Sequence, residues 1–208
     1  MMWNNEESVP YYVAFMEQKA SEIAFLANEI GGSPCIVALD GRCAAGKTTL
    51  AEFLKTAYGF PVIHADDFFL RVEQRTEERY REPGGNLDRE RLKAEVLLPL
   101  KEGKAVTFRR FDCTRMELGE ELSIPESNVV VVEGSYSTHP ELRDLYDLKV
   151  FLDINEEDQK ERIRQRNGEA KLQVFIDRWI PLEELYFSNC GVKESADLYI
   201  NTSMADGI

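Results

Sequence analysis

Cys35-Ile-Val-Ala-Leu-Asp-Gly41-Arg-Cys-Ala-Ala-Gly46-Lys47-Thr48-Thr49 is the stretch from which the rest of the chain can be read. Its first part, Cys35–Leu39, is a short apolar run behind Pro34, of a length and branching that suit a strand buried on both faces of a parallel sheet. Its second part, from Gly41 to Thr48, fits the pattern G-x-x-x-x-G-K-[ST]. Beyond it, Thr48–Tyr58 sets Leu50, Phe53, Leu54 and Ala57 on one side, which predicts a helix that Gly59 ends. Strand, loop and helix in this order are the context in which such a loop wraps a polyphosphate. Consecutive backbone N–H groups must converge on the anion, so Gly41 and Gly46 stand where the chain turns and side chains would crowd it. The helix start adds unpaired N–H groups and the positive end of its dipole. Lys47 supplies a point charge to the terminal phosphates, and the Thr48 hydroxyl is small and placed to ligate Mg²⁺. A mere connecting turn has no use for a lysine at a helix start, where the dipole disfavours a cation. Gly41, Arg42, Cys43, Ala44, Ala45, Gly46, Lys47, Thr48 and Thr49 are therefore the expected nucleoside-triphosphate site. The guanine-reading sequence N-K-x-D is absent, which leaves ATP as the expected nucleotide. Cys43 is read as a small residue filling a tight loop.

Outward from this stretch, short apolar runs alternate with helical periodicities. Residues 11–30 read as an amphipathic helix stopped by Gly31-Gly32. Pro61–Ala65, Val129–Val132, Leu148–Ile154 and Ala196–Asn201 read as strands, with a helix expected after Pro140 and a charged helix over Asn155–Arg166. Residues 169–187 read as a further helix with Phe175, Ile176, Trp179, Leu182 and Leu185 on its core side. Arg71–Arg91 interleaves Arg with Glu around Pro83-Gly84-Gly85 and reads as a surface excursion laced by salt bridges. A helix through Leu92, Val96, Leu97 and Leu100 follows, then a small hairpin of Ala105–Phe111 with Leu122–Ile124 outside the main sheet. Strands alternating with helices, each connection long enough for a crossover, predict a single doubly wound α/β domain.

Composition bounds the partners. The chain has 208 residues, and 25 Lys and Arg against 38 Asp and Glu give a net charge of −13. Nucleic acid and anionic membrane surfaces both demand a positive field, so neither is expected as a partner. No apolar run is long enough to span a bilayer. The first residues, Met-Met-Trp-Asn-Asn-Glu-Glu, lack the basic and apolar regions of a signal peptide. Cys35, Cys43, Cys113 and Cys190 are scattered without zinc spacing and read as reduced thiols, so a cytoplasmic location is expected.

Three further groups carry candidate chemistry. Asp66-Asp67-Phe68-Phe69 directly follows the second strand, which puts the carboxylates at its carboxyl end near the cradle. A carboxylate there can align and deprotonate an attacking hydroxyl, or hold Mg²⁺ through water. Asp66 is the candidate base; Asp67 stands open between metal contact and helix capping. Glu133 ends the Val129–Val132 strand, where such folds hold the metal's water shell or the nucleophile. Thr48, Glu133 and Asp67 are thus the candidate metal contacts. Arg162, Arg164 and Arg166 lie on the charged helix and could neutralise charge as the phosphoryl moves, with Arg162 and Arg166 the better placed. His64 stands open between an edge imidazole and a site contact. Transfer to water would make an ATPase; transfer to a hydroxyl, a small-molecule kinase.

In this order the motifs resemble the uridine kinase and phosphoribulokinase family of P-loop kinases. They run from the glycine loop through Ala-Asp66-Asp-Phe68-Phe69, Asn86-Leu-Asp88, Phe111-Asp112 and Val-Val-Glu133-Gly134 to the arginine helix and Ala196-Asp197-Leu-Tyr-Ile200, covering residues 34–201. The resemblance implies a five-stranded, mainly parallel core with helices on both faces, a short arginine-bearing lid and Mg·ATP-dependent phosphorylation of a hydroxyl. It divides the 208-residue domain into an N-terminal helical extension (1–33), an acceptor-site insertion (71–125) and the lid (155–168). By the same resemblance Asp66 matches the catalytic base, Phe69 an acceptor-site aromatic, Asp88 the carboxylate that holds ribose hydroxyls, Phe111 a base-stacking aromatic and Glu133 the acidic residue of the third strand. Uridine kinases usually carry Tyr where Phe69 and Phe111 stand, and a His in the base-reading turn, where this chain has Cys113-Thr114-Arg115. Arg115 is the candidate acceptor contact there. The lost hydroxyls and imidazole remove hydrogen-bond readers. A nucleoside is the expected acceptor, with pantothenate, nicotinamide riboside, a sugar phosphate or a nucleoside monophosphate as alternatives within kinases, and a non-catalytic ATP-binding regulator as the alternative outside them. The oligomeric state is left open, a homodimer included.

Overall fold

The computed structural model describes residues 8–32 and 34–203. Five strands form one parallel sheet: β1 (Cys35–Gly41), β2 (Val62–His64), β5 (Val129–Glu133), β6 (Leu148–Asp153) and β7 (Leu198–Asn201), in spatial order β2-β5-β1-β6-β7. β1 and β5 are buried along their whole lengths, as strands covered on both faces must be. Alternate residues of β1 serve two cores. Cys35, Val37 and Leu39 face one that holds α1 (Ser8–Ile30) and α2 (Lys47–Tyr58), and Ile36 and Ala38 face the other. On the first face Met16, Ala20, Ile23, Ala24 and Ala27 of α1 pack with Leu50, Ala51 and Leu54 of α2.

The register brings the functional ends together. His64 of β2 and Leu39 of β1 both pair with Glu133 of β5, Gly41 of β1 pairs with Leu152 of β6, and Asp153 of β6 pairs with Asn201 of β7. After β2 the chain leaves β1 on one side; after β5 it crosses to the other, so a crevice opens at the carboxyl end of β1. Asp40, with no solvent exposure, pins that edge. Its carboxylate accepts from the Tyr136 and Thr138 backbone N–H groups and from the Thr138 and Tyr186 hydroxyls, tying β1 to the loop after β5.

The excursion begins with a 3₁₀ turn, Ala65–Phe68, and the short α3 (Glu77–Arg81) and α4 (Arg89–Arg91). α4 continues through a π-helical turn, Leu92–Leu97, into α5 (Leu98–Lys101). The expected hairpin is β3 (Val106–Asp112) against β4 (Glu117–Ile124), antiparallel and separate from the main sheet. Of the excursion's arginines, Arg79 pairs with Glu90 at 2.8 Å, Arg81 with Glu77 at 2.8 Å, and Arg89 with Glu82 and Glu141 at 2.8 Å each, whereas Arg75 donates to the Leu70 carbonyl. α6 (Glu156–Asn167) follows β6, capped by Asn155, whose side chain accepts from the Asp158 N–H. α7 (Glu169–Val174), a π-helical turn (Phe175–Trp179) and α8 (Ile180–Cys190) lead to β7.

Two expectations are corrected here. After Pro140 the chain forms a short 3₁₀ turn, Arg143–Leu145, rather than a helix; the connection to β6 is too brief for more. In 169–187 the buried side chains are Leu172, Glu183 and Tyr186, not the stripe Phe175, Ile176, Trp179, Leu182, Leu185, because this segment roofs a cavity instead of packing flat on the sheet. No helix among the described residues is long and apolar enough to cross a membrane. The four cysteines are unpaired.

Candidate active site

Gly41 has a left-handed φ of 129°, and a Cβ there would collide with the Leu152 carbonyl of β6. Gly46, at φ 94°, caps α2 with no side-chain partner for the helix N–H groups, and its α-carbon lies against the Tyr12 hydroxyl. Three successive carbonyls of the loop between them are met by side chains from α6 and from Thr202 after β7. Gln159 donates to Cys43 O at 3.1 Å, Arg162 to Ala44 O at 3.2 Å and the Thr202 hydroxyl to Ala45 O at 2.9 Å. Arg162 also donates to Thr202 O at 2.5 Å, and its guanidinium stacks 5.0 Å from the Tyr12 ring of α1. Arg162 thus braces the loop from behind and also forms part of the cavity wall. Arg166, one turn on, lines the cavity beside Phe175, with its guanidinium 5.9 Å from that ring. Arg164 pairs with Glu161 and Glu169 at the surface.

The cavity has a volume of about 510 Å³ and is bounded by Lys47, Thr48, Asp66, Phe69, Glu133 and Trp179. Lys47 donates to Gly41 O at 2.7 Å and Arg42 O at 2.8 Å. The Thr48 hydroxyl donates to Glu133, with its oxygen 3.2 and 3.3 Å from the two carboxylate oxygens. His64 Nδ1 lies 2.6 Å from Glu133 Oε1, and this hydrogen bond raises the imidazole's pKa. Asp66 opens to the cavity, yet the crevice desolvates it enough to raise its pKa, the charge of Glu133 adding to the effect and Lys47 opposing it. A hard hydroxyl and a hard carboxylate in contact, facing a polyphosphate cradle, fit Mg²⁺, which uses one or two protein oxygens and completes its shell with phosphate and water.

Asp67 does not join that pair. It lines a second cavity of about 530 Å³ with Asp66, Phe69 and Phe111, and pairs with Arg110 of β3 at 3.3 Å. Phe69 stands on both cavity walls, bridged to Leu87 across the excursion. Phe111 is buried under the Arg75 guanidinium, 5.4 Å from its ring. Asp88 has no exposed surface: it caps α4 through the Arg91 N–H and faces Arg71 at 3.6 Å, and Asn86 forms the wall of the first cavity instead. Arg115 is turned outward at the hairpin tip, 73% exposed, and reaches neither cavity. The Cys43 thiol is pushed well above its ordinary value by burial and by Glu183, so it is not an activated nucleophile.

The family profile described as Phosphoribulokinase / Uridine kinase matches residues 36–168. The chain belongs to this family. It is 26% identical over 149 residues to uridine-cytidine kinase D of Dictyostelium discoideum and 28% identical over 123 residues to uridine-cytidine kinase C of the same organism. Those alignments take in 70% and 58% of this chain but only 30% and 27% of the two relatives, so the chain spans less than a third of their length. A solved structure of a possible uridine kinase from Bacillus stearothermophilus superposes with a TM-score of 0.65 at 21% identity, covering 88% of this chain and 99% of that one. That likeness carries the fold. The brace formed by Gln159 and Thr202, the Asp40 hub and Glu183 escaped the sequence reading. For Asp40 the signal was a lone acidic residue closing an apolar strand; for Glu183, its place four residues beyond Trp179 and eight beyond Phe175.

Proposed function

We propose that the protein is a kinase that moves the γ-phosphoryl of ATP to a hydroxyl of a small polar acceptor, a nucleoside being the best fit. The observation that carries this reading is Asp66, a carboxylate of raised pKa at the strand end beside the cradle, opening to both cavities. ATP phosphates lie along the loop N–H groups and the α2 terminus, with Lys47 swinging from the loop carbonyls to the terminal phosphates. Thr48 and Glu133 would hold Mg²⁺, which would supply charge neutralisation at the phosphates. Asp66 holds the acceptor hydroxyl in line and takes its proton; its raised pKa brings it nearer the working range of a general base. Arg166 faces the transferring group, and Phe69 and Phe111 give the acceptor flat apolar walls. Arg79, Arg81 and Arg89 are held by carboxylates, which leaves Arg75 over Phe111 and Arg110 beside Asp67 as the cations next to the second cavity.

The test is ADP release across a panel of nucleosides, vitamins and sugar phosphates, with the product identified by mass spectrometry. A nucleoside monophosphate as product bears the reading out. ATP binding with no acceptor that stimulates ADP release would favour a nucleotide-switched regulator instead.

A further inference from the structure

The stripe Phe175, Trp179, Glu183 that roofs the first cavity ends in a carboxylate for which phosphoryl transfer has no use. Glu183 is 3% exposed, and both of its oxygens accept from the backbone N–H of Cys43, at 3.0 and 3.1 Å. The Ser135 hydroxyl donates to it at 2.7 Å. The next residue, Glu184, pairs with the guanidinium of Arg42, which also meets Asp153 at 2.8 Å. Two successive carboxylates in the first turns of α8 therefore grip two successive residues of the cradle. Lys47 reaches the same network through Ser135 Oγ at 3.4 Å, while its ammonium rests on the loop carbonyls.

The Cys43 N–H lies in the glycine loop at the cavity wall, where a bound anion would seek backbone donors, and a carboxylate is itself an anion of similar oxygen geometry. A terminal phosphate entering beside it meets a buried like charge whose partners are the phosphate's own. We propose that Glu183 competes with the terminal phosphate of ATP for the cradle, so that nucleotide entry displaces this carboxylate and, with it, the first turn of α8. The inference rests on the ATP reading above and assigns α8 to the phosphate site as its latch.

Glu183→Gln keeps the side chain's shape and an oxygen that can accept from Cys43 but removes the charge. Equilibrium titration with Mg·ATP, and with AMP by competition, on wild type and variant tests the latch. The variant is expected to bind Mg·ATP roughly tenfold tighter, with AMP affinity unchanged because AMP lacks the terminal phosphates. Mg·ATP affinity that is unchanged or weaker, or an equal gain for AMP, overturns the latch while leaving the kinase reading standing, provided wild type binds Mg·ATP. Binding by the variant where wild type shows none supports the latch in its strongest form. Failure of both proteins to bind Mg·ATP overturns the kinase reading and the latch together.

Discussion

The loop between β1 and α2 is met by side chains at three successive carbonyls and by Glu183 at the Cys43 N–H. The hairpin across the cavity is held far more loosely. β3 buries Val106, Phe108 and Phe111 on one side, with Phe108 4.9 Å from Phe68, whereas β4 has no buried residue at all. On the proposed reading, the phosphate side is thus built into the parallel sheet, and the acceptor side is an attached surface. In a kinase made this way, transfer chemistry is fixed by the core and acceptor choice can change on the hairpin without disturbing the cradle.

The largest effects should fall on the fixed side. Lys47→Ala is expected to cut kcat/KM roughly 10³-fold by removing the charge that meets the terminal phosphates. Asp66→Asn should lower kcat by about 10²–10³-fold while ATP affinity, measured by titration, stays put. A variant with intact turnover would end the assignment of Asp66 as base. The pH profile sharpens the point. Desolvation in the crevice and the charge of Glu133 raise the pKa of Asp66, so kcat/KM for the acceptor should fall on the acid side at a pH above that of an ordinary aspartate. Glu133→Gln should reduce the rate and move that limb to lower pH, since it removes the negative neighbour.

On the loose side the expected effects are smaller and confined. Phe111→Ala should raise KM for the acceptor about tenfold and leave KM for ATP unchanged. A matched rise in both would mean that the two sides are mechanically joined. The smallest effect has the opposite sign. Folded Asp66 holds its proton more tightly than the unfolded chain does, so stability falls as pH rises from the ordinary Asp value through the raised one, and stays lower above it. Asp66→Asn should therefore raise Tm slightly at neutral pH, read by calorimetry, even as activity is lost; solvent contact at Asp66 keeps the gain small.

This contrast also decided what the sequence could tell. The runs ending in Leu39, Ala65, Val132, Ile154 and Asn201 all became strands; the central β1 and β5 are apolar throughout because they are covered on both faces, while β2 and β7 at the sheet's edges are only partly buried. The glycine loop was legible because a phosphate wrap constrains residue type at fixed offsets. The helix expected after Pro140 was not there, since local periodicity cannot weigh the length of a connection against the strand it must reach. Residues 169–187 misled because a roof over a cavity carries the same apolar spacing as a helix on a core; only the depth of Glu183 and Tyr186 separates them. Asp88 and Arg115, placed by resemblance alone, ended at a helix cap and in solvent, where the excursion's own pairing governs.

The family match starts at residue 36, yet Met16, Ala20, Ile23, Ala24 and Ala27 join α2 in covering one face of the sheet and Tyr12 lies beside the cradle. The boundary of inheritance and the boundary of independent folding therefore differ in this chain. A fragment trimmed to the shared region would retain each candidate for the chemistry while uncovering the α1 side of β1 and losing α7, α8 and β7, so α1 and the chain after residue 168 must both be kept in any piece of the protein meant to work alone.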